Sequence, residues 1–107
     1  MYYRILIFSF LFFFSLGSSH EISAQNAVID SLQILIKQDK ADTNKVNHLH
    51  VLCWHYGNLG QYDTAIYYGN LELALAQRLN FKTGMTAAYT NIGLTYYNKG
   101  EFYKLKC

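Results

Sequence analysis

The chain has 107 residues, a formal charge of +2, seven glycines and no proline, and 51% of it is hydrophobic and 17% aromatic. That length suits one small domain. The near-neutral balance argues against nucleic acid as a partner, because phosphate binding needs a dense basic patch. Lys37, Lys40, Lys45, Lys82, Lys99, Lys104 and Lys106 are scattered among acids and read as a solvated surface.

The N-terminus has the order of a secretory signal peptide: a basic start, an apolar middle and a small-residue exit. Met1-Tyr2-Tyr3-Arg4 carries one positive charge, and Ile5 to Leu16 is apolar apart from serines. Gly17-Ser18-Ser19 and Ser23-Ala24 then offer small residues for cleavage, with Ile22 a less usual neighbour than alanine. The apolar run falls short of the roughly 20 residues of a spanning helix. A cleaved signal over residues 1–24, giving an exported periplasmic or extracellular protein, is therefore expected ahead of a permanent membrane anchor. No cysteine follows the apolar run, which argues against a lipid anchor. Export implies an oxidising compartment, yet Cys53 and Cys107 are the only cysteines and make no disulfide framework. Cys53 reads as a small buried residue.

Beyond the signal, apolar spacing predicts helices throughout. Val28, Ile29, Leu32, Leu35 and Ile36 give a first helix from Ala27 to Lys37. Ala41-Asp42-Thr43-Asn44 supplies turn and N-cap chemistry. A second helix, about Lys45 to Asn58, places Leu49, Leu52, Cys53 and Tyr56 on one face. After the turn Asn58-Leu59-Gly60-Gln61, a third runs from about Tyr62 to Leu79, with Ala65, Ile66, Leu73, Ala76 and Leu79 inward. Lys82-Thr83-Gly84 is expected to break it. A fourth covers about Met85 to Asn98, and Lys99-Gly100 turns into a stub, Glu101 to Cys107. No stretch alternates with period two, so the fold class expected is all-α.

The chain also repeats. Gly60 and Gly100 lie 40 residues apart, and at that offset Leu49 matches Tyr89, Leu52 matches Ile92, Tyr56 matches Tyr96, and Tyr62 matches Phe102. Leu35 of the first helix likewise falls on Leu75, so that helix reads as the second half of a degenerate hairpin.

These residues carry a resemblance. Tyr89-Thr90-Asn91-Ile92-Gly93-Leu94-Thr95-Tyr96, continued by Lys99-Gly100-Glu101-Phe102, resembles the aromatic-x-x-aliphatic-Gly-x-x-Tyr core and turn of the tetratricopeptide repeat. The earlier copy, Leu49-x-x-Leu52-Cys53-x-x-Tyr56 followed by Gly60-Gln61-Tyr62-Asp63-Thr64-Ala65-Ile66, matches with Leu for the aromatic and Cys for the Gly. The small residue admits a close helix approach, Gly closes the tight turn, and the aromatic after the turn wedges between helices. Three features depart from the family. The period exceeds the usual 34 or so residues. The usual proline is missing, and Glu72 and Leu105 stand where small alanines are normally packed. The resemblance spans about Val46 to Phe102 and implies an α-solenoid of helical hairpins over residues 25–107, one complete and two partial.

No catalytic constellation is readable. His48, His50 and His55 cluster with Cys53, but only His48 and His55 share a helical face, two turns apart, and metal ligands on a helix want spacings of three or four. No metal and no cofactor is expected. Cys53 lies on the packing face without an obvious base. Asp30, Asp39, Asp42, Asp63, Glu72 and Glu101 are dispersed, with no pair whose burial would push their pKa values apart. Gly57 and Gly60 match no nucleotide fingerprint.

A binding face is the better expectation. Asn47, His50, Trp54 and Asn58 form a stripe beside the packing face of the second helix, and Thr90, Leu94, Tyr97 and Asn98 hold the matching places on the fourth. The resemblance implies that this stripe lines a concave groove accepting a peptide or protein segment, with Trp54 and Tyr97 as aromatic anchors and His50 and the asparagines as hydrogen-bonding groups. The alternative is that Trp54 and Tyr97 pack on a neighbouring helix.

Repeat arrays need about three units to bury a continuous core. With one full hairpin and an open fourth helix carrying Ile92 and Tyr96, the chain is expected to be the leading fragment of a longer protein. Asp30-Ser31-Leu32 through Ala41-Asp42-Thr43-Asn44-Lys45-Val46, after an export signal, resembles the start of bacterial sensor proteins with external tetratricopeptide repeats. Two function classes follow: a protein-interaction module, either free in the periplasm or as the input part of a signalling protein, or a small exported structural protein that self-associates through its open helical end.

Overall fold

The computed structural model of the chain describes residues 23–100, which form four helices and no strand. They are α1 (23–38), α2 (Thr43–Asn58), α3 (Tyr62–Arg78) and α4 (Lys82–Lys99). The chain is all-α, as its periodicity predicts. Most of the expected signal segment and the whole stub after Gly100 lie outside the described residues. Among the described residues no helix is long and apolar enough to cross a membrane.

Local chemistry sets the boundaries. Asp42 is extended and caps α2, its Oδ1 accepting from the backbone N–H of Asn44 at 3.0 Å and of Lys45 at 3.3 Å. α2 and α3 end in the same device. Gly60 adopts φ 76° and Asn80 φ 54°. Gln61 N–H then bonds to Tyr56 C=O at 3.0 Å, and Phe81 N–H to Ala76 C=O at 2.9 Å. These are Schellman closures, which satisfy the last carbonyls of a helix and need a residue that tolerates the left-handed region.

The second closure corrects the expected break at Lys82-Thr83-Gly84. Those three residues form the first turn of α4, and the chain reverses at Asn80 instead. Gly84 is buried, and a Cβ there would sit 2.5 Å from the Phe81 ring and 2.9 Å from Val46 Cγ1. It marks a close approach, not a helix end.

Three-residue connections make neighbours in sequence neighbours in space: α2 packs on α3 and α3 on α4, while α2 also reaches α4. The centre is α2, whose Val46, Leu49, Leu52 and Cys53 are at most 3% exposed. Burying each leucine stabilises the fold by about 1.5–3 kcal/mol. Ile29 and Leu32 of α1 cover Leu52, and Ile36 touches both buried clusters. That i, i+3, i+7 stripe is the inward face of α1, and Val28 and Leu35, off that stripe, are each 41% exposed. On α3, Ala65, Ile66 and Ala76 are buried as expected and are joined by Gly69, Glu72 and Leu75, while Leu79 is exposed at the helix end. Tyr56 of α2 stacks on Tyr68 of α3 with ring centroids 5.5 Å apart, and Gln33 of α1 donates to both hydroxyls at 3.1 Å.

Candidate partner-binding cleft

The α2–α4 contact is organised around small and polar groups. Gly69 of α3 lies beneath it: a Cβ there would be 2.8 Å from Ile92 Cγ1 on α4 and 3.3 Å from Cys53 Sγ on α2. Ile92, expected to stand open on α4, thus rests half-buried over this glycine. The absence of a side chain at Gly69 lets all three helices converge. Asn91 of α4 then reaches α2, its Nδ2 donating to the His50 carbonyl at 3.1 Å.

Trp54, Asn58, Leu94 and Asn98, four of the eight residues expected to form the binding stripe, line one narrow cleft of about 80 Å³. Its remaining lining comes from Cys53, Gly57, Asn91 and Thr95, which the sequence pattern does not assign to binding. Trp54 is 53% exposed and Leu94 55%, so both edges of the cleft are apolar and open to solvent. The indole stands edge-on to the His55 ring at 5.0 Å. His50 lines an adjoining shallow depression with Val51 and Trp54. Asn47, Thr90 and Tyr97 are exposed outside both hollows. Thr90 turns its hydroxyl back to the Thr86 carbonyl at 2.9 Å, and Tyr97 is 63% exposed.

Beneath the cleft lies an arrangement that sequence reasoning missed. Glu72 of α3, in the place of a small repeat residue, is completely buried. Its Oε1 lies 3.0 Å from His50 Nδ1, and Asn91 Nδ2 is 3.5 Å from the same nitrogen. Glu72 Oε2 is buried with no hydrogen-bond partner among the described residues. Burial pushes the Glu72 carboxyl up to about 8 and His50 below its ordinary value. At neutral pH the pair is therefore mostly an uncharged carboxylic acid donating to a neutral imidazole. The sequence pattern, which offers no carboxylate pair, gives no sign of this single buried carboxyl. The dispersed spacing concealed it because the partners sit on different helices.

Cys53 is fully buried, as expected. Burial first, and then the nearby Glu72 carboxyl, push its thiol up to about 12, against the pull of the Thr95 hydroxyl and the Gly69 backbone. A thiol so far from ionisation is a packing group, not a nucleophile. His48 pairs with Asp39, Nδ1 to Oδ2 at 2.6 Å, whereas His50 pairs with Glu72. Among the described residues no three His, Cys, Asp or Glu side chains are placed to hold a metal ion.

Comparison with protein-family models, with curated proteins and with solved structures gives no match to this chain.

Proposed function

We propose that the chain is a protein-interaction scaffold whose α2–α4 cleft captures an extended or helical peptide segment. The observation that carries this reading is the pairing of two exposed apolar side chains, Trp54 and Leu94, across a cleft edged by the amides of Asn58 and Asn98. Aromatic and aliphatic anchors beside hydrogen-bonding groups are how helical scaffolds hold peptides. The two in-phase copies of the tetratricopeptide pattern support the same reading, with α2 and α3 as a complete hairpin and α4 opening the next. The signal-like N-terminus supports export, and the resemblance to external sensor regions supports a place as the input part of a signalling protein.

Selection from a displayed random-peptide library against the full chain tests the proposal. Recovered peptides should share an apolar anchor and lose at least tenfold in affinity on Trp54→Ala or Leu94→Ala, with helicity unchanged. Peptides whose affinity ignores both substitutions would remove the cleft from consideration.

A second reading has its own observation. Tyr89, Leu94 and Tyr97 expose 55–63% of their surface along α4, a face suited to a second copy. Mass that rises with concentration across the micromolar range would favour self-association; constant monomer mass would dismiss it.

A further inference from the structure

A second cavity, of about 460 Å³, opens between the first half of α2 and α3, closed on one side by Ile36 of α1 and Ala41, and shares no residue with the α2–α4 cleft. Its volume falls in the range of roughly 300–1,000 Å³ of small-ligand sites, and its lining is mostly apolar, as theirs is. Leu49 and Leu75, both buried, are among the core residues that line it, and Tyr68 and Leu71 line it from α3. Leu71 remains 40% exposed, a large apolar group held open beside the hollow.

The charges around it are one-sided. Lys45 and Arg78 are the two charged residues of the lining, and no acid accompanies them. Neither makes an ion pair among the described residues, where the pairs are His48–Asp39, His50–Glu72 and Lys99–Asp63. The nearby Asp42 carboxylate is engaged by the backbone N–H groups of Asn44 and Lys45. An apolar hollow with two unpaired cations is complementary to a molecule with an apolar body and an anionic head. The planar guanidinium matches a carboxylate in a two-pronged geometry.

We propose that this cavity binds an aliphatic carboxylate, its alkyl chain lying on Leu49 and Leu75 and its head group meeting Arg78 and Lys45. The proposal is independent of the peptide-binding reading.

The test is calorimetric titration of the full chain with decanoate below its micelle concentration, with decanol as the uncharged control. Two variants at exposed positions probe the site: Arg78→Glu reverses a head-group charge, and Ala74→Trp fills the hollow. Circular dichroism checks that each keeps its helicity, and Arg78→Glu decides alone if the bulkier variant does not fold. The expected result is saturable decanoate binding, at least tenfold weaker for decanol and for Arg78→Glu, absent in Ala74→Trp, and unchanged in Trp54→Ala. The proposal is overturned by no saturable binding, by decanol binding as tightly as decanoate, or by affinity within twofold of wild type in the pocket variants. An acidic amphipathic peptide that occupies the hollow and resists displacement by decanoate overturns it as well.

Discussion

Replacing Glu72 by glutamine isolates the energetic effect of a carboxyl sealed inside the helical stack. The group titrates near 8 in the folded chain against an ordinary value of 4.5, because burial disfavours its charged form. A raised carboxyl pKa means that the unfolded chain releases this proton first. The associated stability is therefore complete below about pH 4.5 and declines as pH rises toward 8. Within that window each step of one in pH changes the stability by up to about 1.4 kcal/mol. Between pH 5 and pH 7, wild type should lose about 2–3 kcal/mol relative to Glu72→Gln, whose amide keeps the bond to His50 and carries no charge at any pH. His50 acts in the opposite sense: its lowered pKa costs stability as pH falls below 6.5. The difference between wild type and variant removes most of that background. Urea unfolding at pH 5 and 7, at constant ionic strength, measures it. With a slope of about 1 kcal/mol per molar for a domain this small, the midpoints should separate by about 2 M more at pH 7 than at pH 5. Parallel stabilities at the two pH values, within about 0.5 kcal/mol, would show that Glu72 is solvated or charged in the fold, and the reasoning would fail.

Three further outcomes are expected. Gly69→Ala should destabilise by about 1–3 kcal/mol in thermal or urea unfolding, because its Cβ would meet Ile92 at 2.8 Å; combining it with Ile92→Ala should cost less than the sum of the two. The Cys53 thiol, pushed up to about 12, should resist iodoacetamide at pH 8 in the folded chain and react once urea unfolds it, with peptide mapping separating it from Cys107. Asp42→Ala should cost about 1 kcal/mol by removing the cap of α2, read from the urea midpoint, whereas a loss under 0.2 kcal/mol would mean the cap is dispensable.

How far the sequence could be read depended on whether a signal was local. Asp42 before an apolar-periodic run, Gly60 after one, and the Leu49, Leu52, Cys53 stripe are short-range features, and the structure places each as its chemistry suggests. Glycine misled once. Gly84 reads as a breaker, yet it is a contact point, and the left-handed residue is Asn80, whose short polar side chain tolerates that conformation. Glu72 shows the limit more sharply. Its departure from the repeat pattern is visible, but its hydrogen-bond partner is His50, 22 residues away on another helix, and no spacing rule links the two. The stripe was legible in part for the same reason. Helical period brings Trp54, Asn58, Leu94 and Asn98 to one side, but which stripe residues line the hollow depends on where α2 and α4 meet, and Asn47, Thr90 and Tyr97 fall outside it.

The most direct test uses the chain's single tryptophan, which stands at the edge of the cleft. A library-selected peptide should change Trp54 emission in a saturable titration and, in amide chemical-shift maps, perturb residues around Trp54, Asn58, Leu94 and Asn98 most strongly. Binding that leaves the Trp54 spectrum and those amides unmoved would contradict the assignment of this cleft as the partner-binding face.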